Sequence, residues 1–291
     1  MQIPPSSVLE RQEGRVLGFA SPLLIFQFSI AVVLIGLLHG GTLADLAVDW
    51  WNEPAYSQGM LIPPLAVYIA WLRRSTTFAH PVSPDSRALA LVAFACLTFL
   101  LGKLAAEFFL MRISFVFLLA GLTWTFWGLN RFRSLMFPFL LLATMVPFPV
   151  IFYNALSTPL QLFASDVSAQ LAQALGVSVY RDGNIIQLAN TTLGVAEACS
   201  GLNSLSALIV AGLLVGHLLC SRVISQIAVV VLAIPTAIGV NIVRVTGTAV
   251  LADYNPAFAM GFYHSFSGWL VFLFGFGILY GVAKAVHAVL D

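Results

Sequence analysis

Apolar stretches separated by short polar or basic loops fill most of the chain. They run approximately over 16–38, 59–72, 88–106, 109–129, 134–152, 200–219, 223–243 and 266–288. A helix that crosses the hydrocarbon core of a bilayer needs about 20 such residues. The pattern therefore predicts about eight transmembrane helices. The second stretch is short, and Pro63 and Pro64 crowd its start. Arg11 and Arg15 precede the first stretch. That stretch exceeds the apolar region of a secretory signal, about 7–15 residues, so it is read as a retained spanning helix.

Two non-spanning segments have a pattern of their own. In 153–198, Leu156, Leu160, Phe163, Val167, Leu171 and Leu175 recur at spacings of three and four, with Ser157, Gln161, Ser165, Asp166, Ser168 and Gln170 between them. This is the signature of an amphipathic helix lying on a membrane surface. Downstream, Asp182-Gly183 separates two β-prone runs between Val177 and Leu188, which predicts a tight hairpin. A third short strand is expected through Thr191 to Val195. The other segment, Gly40 to Gln58, carries Asp45, Asp49 and Glu53 beside Trp50 and Trp51. Those tryptophans suit an interfacial belt. The expected fold is an all-α polytopic membrane protein, residues 1–291 forming one domain. Its about eight helices carry a small outer-face insertion, the amphipathic helix plus β-hairpin.

Composition strengthens the membrane reading. Of the 291 residues, 60% are hydrophobic and only 9% charged, against about 25% charged in a soluble domain. The mean hydropathy is +0.96. With a net charge of +1 and no basic patch or nucleic-acid motif, nucleic acid is excluded as a partner, and the lipid bilayer is the expected solvent. Lys and Arg bias sets the orientation. With the N-terminus in the cytoplasm, nine of the 13 Lys and Arg residues fall on that side: Arg11, Arg15, Arg73, Arg74, Arg87, Arg131, Arg133, Arg222 and Lys284. Lys103, Arg112, Arg181 and Arg244 fall outside or at outer helix ends. Both termini are then expected inside.

Three reactive residues converge on the expected outer face. Cys199 opens the sixth helix, Arg244 ends the seventh and His264 precedes the eighth. A helix N-terminus offers partial positive charge and unpaired amide donors, which favour a thiolate and suit an oxyanion. His264 fits a general acid/base. Arg244, permanently protonated, fits stabilisation of a tetrahedral intermediate. Glu197, Ser200, Asn203, Ser204 and Asn241 supply polar support, and Asn241 lies three residues before Arg244, on the same helix face. Taken one at a time, each of the three also has a plain structural reading. A helix-end cysteine packs, an outer histidine is solvated, and a helix-end arginine snorkels to headgroups. Cys96 and Cys220 sit in or beside apolar runs and read as small core residues. No Cys/His ligand spacing indicates a metal, and no cofactor motif is seen. His39 is the rival base on the outer side; His80, His217 and His287 fall on the cytoplasmic side.

Four runs carry a family resemblance: Asp182-Gly183-Asn184, then Glu197-Ala198-Cys199-Ser200-Gly201, then Asn241-Ile242-Val243-Arg244-Val245, then His264-Ser265-Phe266-Ser267-Gly268-Trp269. In order and spacing they resemble the exosortase/archaeosortase membrane proteins, over most of the chain. Tyr56-Ser57-Gln58-Gly59 resembles a further family feature, with Gln58 where many relatives carry histidine. The extra soluble C-terminal domain of some relatives has no counterpart. The resemblance implies a membrane cysteine peptidase and transpeptidase of a bacterial inner membrane. It implies substrates with a C-terminal sorting signal of the PEP-CTERM kind, cut on the outer face and transferred to an acceptor, exopolysaccharide or lipid linked. It assigns Cys199 as nucleophile, His264 as acid/base and Arg244 as transition-state stabiliser. The rivals are a transporter or flippase with Cys199 structural, a protease that only hydrolyses, and a membrane scaffold.

Overall fold

The computed structural model describes residues 22–53, 56–194, 202–259 and 261–291. It forms two compact units, Met1–Asp45 and Leu46–Asp291. The described part of the first unit is the body of helix α1 (Pro22–Asn52). The second unit holds the end of α1, a 3-10 turn (Ser57–Leu61), α2 (Ile62–Leu72), α3 (Arg74–Ala79), α4 (Leu89–Leu104), α5 (Phe108–Trp127), α6 (Leu129–Ser134) and α7 (Met136–Ala143). It continues with α8 (Val150–Ala174), three short strands, α9 (Leu202–Leu219), α10 (Val223–Tyr254) and α11 (Gly261–Leu290).

Among the described residues, five helices are long and apolar enough to cross a membrane, and Ser57–Leu72 and Ser204–Leu219 are shorter apolar helices. The chain is an all-α polytopic membrane protein. Large apolar side chains face outward along these helices, among them Val33, Leu37, Leu97, Leu100, Val231, Trp269 and Phe274. Such a surface is stable only against lipid.

The observed helices differ from the expected stretches at three places. The stretch 134–152 is not one span: α7 ends at Ala143 and α8 begins at Val150. Pro147 and Pro149 lie between them, and proline forces the preceding residue out of helical geometry. Gly40 to Asn52, read as part of an outer segment, continues α1. Its two adjacent glycines weaken the helix without stopping it. The seventh span does not end near Arg244, because α10 runs ten residues further, to Tyr254.

Local chemistry sets several boundaries. Pro63 and Pro64 occupy the first turn of α2, where a missing N–H costs nothing. Glu107 caps α5, its carboxylate accepting from the Leu110 N–H at 3.1 Å. Gly128, at φ +88, ends α5. The Ser83 carbonyl occupies the space that a side chain there would need, so only glycine fits both the backbone and its neighbour.

Strands β1 (Val179–Asp182), β2 (Ile185–Leu188) and β3 (Thr192–Gly194) form one antiparallel sheet in that order. Gly183 takes the positive φ in the turn joining β1 to β2. Ile186 and Leu188 face inward from β2, while Ile185 and Gln187 face out. The inward pair joins Ala172 of α8 and Val245, Ala249 and Ala252 of α10 in one core cluster. Polar contacts tie sheet to helix. Arg181 pairs with Asp166 at 3.1 Å, and Asn184 Nδ2 donates to Gln161 Oε1 at 3.1 Å.

Candidate active site

Helices α9, α10 and α11 pack mutually, and small residues let them approach. A methyl group on Gly275 would touch Leu208 and Val240, and one on Gly212 would touch Ala233, Val229 and Leu279. One on Gly216 would touch Gln226 and Val229. As the α9 positions rise through this series the α11 positions rise and the α10 positions fall. So α9 and α11 run parallel, with α10 antiparallel between them. The N-terminal ends of α9 and α11 therefore lie at the same end of the bundle as the C-terminal part of α10.

Arg244 is in that part of α10. It stands 21 residues beyond Val223, about 32 Å along the helix axis at 1.5 Å per residue. It is half-buried. One turn earlier Asn241 is buried. From α8, Ser168 Oγ donates to the Ile242 carbonyl at 3.3 Å. Thr248 Oγ1 donates to the Arg244 carbonyl at 2.9 Å. Val245, Ala249 and Ala252, on the neighbouring face, pack beneath the sheet and α8. The sheet and α8 thus clamp the C-terminal turns of α10 on one side.

The Arg244 guanidinium lies against α11 at Gly268. A methyl group on Gly268 would stand 3.3 Å from Nη2, 3.4 Å from Cζ and 3.8 Å from Nη1. His264 is in the first turn of α11, rather than ahead of the helix. Positions 264 and 268 share a helix face, one turn apart. Cys199 lies outside the described residues, as do Glu197 and Ser200. Cys199 is three residues upstream of Leu202, where α9 begins.

Near the same end of α9, Gln58 Nε2 donates to Ser206 Oγ at 3.0 Å. The 3-10 turn that carries Gln58 is held from below. Gly59 lies so close to the Trp50 indole that a methyl group there would overlap the ring. Trp50 Nε1 in turn donates to the Met145 carbonyl at 3.1 Å. The position left without a role in the sequence is thus tied directly to α9.

Other thiols and imidazoles have separate surroundings. Burial pushes the Cys220 thiol above its ordinary pKa, and the Asp291 carboxylate beside it adds to the shift. That is the reverse of what a nucleophile requires. Cys96 is exposed on α4. His217 stacks on Phe137 with ring centroids 3.5 Å apart, and its Nε2 is 2.6 Å from Arg73 Nη2. Because the guanidinium only donates, Nε2 accepts. His287 Nδ1 is 3.0 Å from Asp291. Both sit toward the C-terminal ends of α9 and α11, away from Arg244. His39 lies inside α1, 13 residues before its end, rather than at a helix terminus.

What the residue pattern missed is the glycine against the guanidinium. The signal was a glycine inside an apolar helix, which marks a close approach as readily as a weak point.

The family description "Transmembrane exosortase" matches residues 50–281, 232 of the chain's 291. No curated protein and no solved structure matches the chain. The match runs from the end of α1, past the Gln58 turn, α9 and α10, into α11, taking in Arg244, His264 and Gly268, and the chain belongs to the transmembrane exosortase family.

Proposed function

We propose that this protein is a cysteine transpeptidase of the plasma membrane that cleaves C-terminal sorting signals on the outer face and transfers the shortened protein to an acceptor. One observation carries the reading. The Arg244 guanidinium rests against Gly268, one helical turn from His264. It does so at the end of the bundle where α9 begins, three residues after Cys199. The bias of Lys and Arg supports cytoplasmic termini and an outer site. Family membership supports a substrate with a membrane helix.

In this mechanism the Cys199 thiolate attacks the scissile carbonyl carbon, forming the C–S bond. The electron pair of the C=O moves to oxygen, and Arg244 stabilises that negative charge. Collapse of the intermediate breaks the C–N bond, and His264 in its protonated form gives the leaving amine a proton. The product is a thioester on Cys199. The neutral His264 then takes a proton from the acceptor's amine or hydroxyl as that group attacks the thioester. The C–S bond breaks and the thiolate returns. Asn241, Glu197 and Ser200 support the three. Water in place of the acceptor gives hydrolysis.

The test follows a tagged protein bearing a PEP-CTERM-type C-terminal signal, co-expressed with the enzyme and sized by immunoblot. Wild type and Cys220→Ala shorten it; Cys199→Ala, Arg244→Ala and His264→Ala do not, at equal enzyme levels. Processing by Cys199→Ala at the wild-type rate would remove the nucleophile assignment. Mass spectrometry of the new C-terminus separates transfer from hydrolysis.

A further inference from the structure

We infer that Gly268 is a positioning residue for the reaction. It provides the side-chain-free patch of α11 on which the Arg244 guanidinium is seated. The inference rests on the proposed cysteine chemistry, and its argument is geometric. Three atoms of the guanidinium fall within 3.8 Å of where a Gly268 side chain would begin, and two of them within 3.4 Å. A cation on a long, rotatable stem has many positions open to it. A side-chain-free patch of helix backbone lets it lie close and bounds it on one side. The patch lies four residues from position 264 on the same face of α11, so one helix carries both the seat of the cation and the backbone of the proposed acid/base. On α10, Arg244 is itself held in a turn clamped by Ser168 through the Ile242 carbonyl. The clamped turn of α10 and the face of α11 thus meet at this glycine.

The same helix contains an internal control. Gly277 has nothing within 4 Å of where its side chain would begin. Alanine favours the helix at both positions, so neither substitution should weaken the fold. Only the one at 268 meets the guanidinium.

The experiment compares Gly268→Ala and Gly277→Ala in the full-length protein, with two readouts. The first is the rate of substrate shortening at saturating substrate. The second is the Arg244 Nε–H resonance in detergent micelles, assigned by its loss in Arg244→Lys. Gly268→Ala is expected to shift the resonance and slow processing roughly tenfold, since small displacements of a catalytic group cost one to two orders of magnitude. Co-purification of substrate with a Cys199→Ala enzyme should be unchanged by Gly268→Ala, which separates turnover from binding. Gly277→Ala should alter none of these. Gly268→Val, bulkier, should lose more activity than Gly268→Ala at equal protein level. The inference is overturned if Gly268→Ala processes at the wild-type rate, or if processing slows while the resonance stays in place. Either result leaves the cysteine mechanism standing as long as Cys199→Ala is inactive. An active Cys199→Ala enzyme would instead overturn the mechanism itself.

Discussion

The least replaceable contacts in this protein are single side chains held where lipid or core would normally exclude them. Arg112 is the clearest case. Its side chain is 7% exposed and meets the Asp49 carboxylate at 2.5 Å, joining α5 to the last turn of α1. A buried guanidinium is tolerated because its partner is there. Asp49→Ala should lower stability by about 2 kcal/mol, the usual penalty reduced because the carboxylate is partly exposed. The double change Asp49→Leu with Arg112→Met should recover most of that, since a packed apolar pair leaves no charge stranded. Melting temperatures in detergent test both statements. The sequence displayed the residue types at this scale but not their neighbours. Arg112 reads as one more outer cation until Asp49, 63 positions away, is seen beside it. Ionisable and nucleophilic groups stand out as candidates in so apolar a chain. Gly268 stands in one of the four family runs and hints at a close approach, but the sequence does not show that the neighbour is the Arg244 guanidinium.

At the scale of elements, spans were legible and their ends were not. Apolar composition locates α4, α5 and α9 to within two residues of their observed limits, because composition is what lipid selects, while α11 starts five residues before the expected 266. Ends depend on particular backbone events. Pro147 and Pro149 divide 134–152, a break that hydropathy alone passes over. Conversely, the seventh apolar stretch is expected to end at 243, but the sheet and α8 cover the part of α10 beyond Arg244 and it continues to Tyr254. The start of α10 shows another device invisible in the sequence. Its own preceding residue, Arg222, makes no side-chain cap. The cap comes instead from the far end of α11. The Asp291 carboxylate, 1% exposed, accepts from Ser225 Oγ at 2.7 Å, the Ser221 N–H at 2.9 Å and the Arg222 N–H at 3.2 Å. The Ser225 hydroxyl, followed by His287 and the two amides, holds this carboxyl well below the usual range. The fold favours the ionised form, so its folded pKa lies under its unfolded one. The stabilisation is complete above the ordinary aspartate value, about 4, and is lost as pH falls below it. Asp291→Asn should therefore melt at a lower temperature than wild type at pH 7, and the gap should narrow only as the pH falls below about 4.

For the molecule as a whole, the distribution of basic residues is the main topological information. Nine of 13 Lys and Arg residues fall on one side of the expected arrangement. A reporter active only in the cytoplasm, fused after Asp291, should be active. One that needs export, fused at the same point, should be silent. A β-turn insertion between Asp182 and Ile185 should accept an outer-face label for the same reason. The reversed pattern would put the Arg244 end of the bundle inside.

The length of α10 has a further consequence under that orientation. Arg244 stands about 32 Å from the inner start of its helix, close to the roughly 30 Å thickness of the hydrocarbon layer. The cation is thus held at a fixed height, level with the headgroups. A substrate anchored by its own helix presents its bonds on the same vertical scale. One extra turn in that anchor raises every bond above it by about 5.4 Å, with the recognised residues unchanged. Under the proposed reaction the cleavage point is partly a measurement of distance from the membrane. Substrates then differ in the length of their stems as much as in their letters.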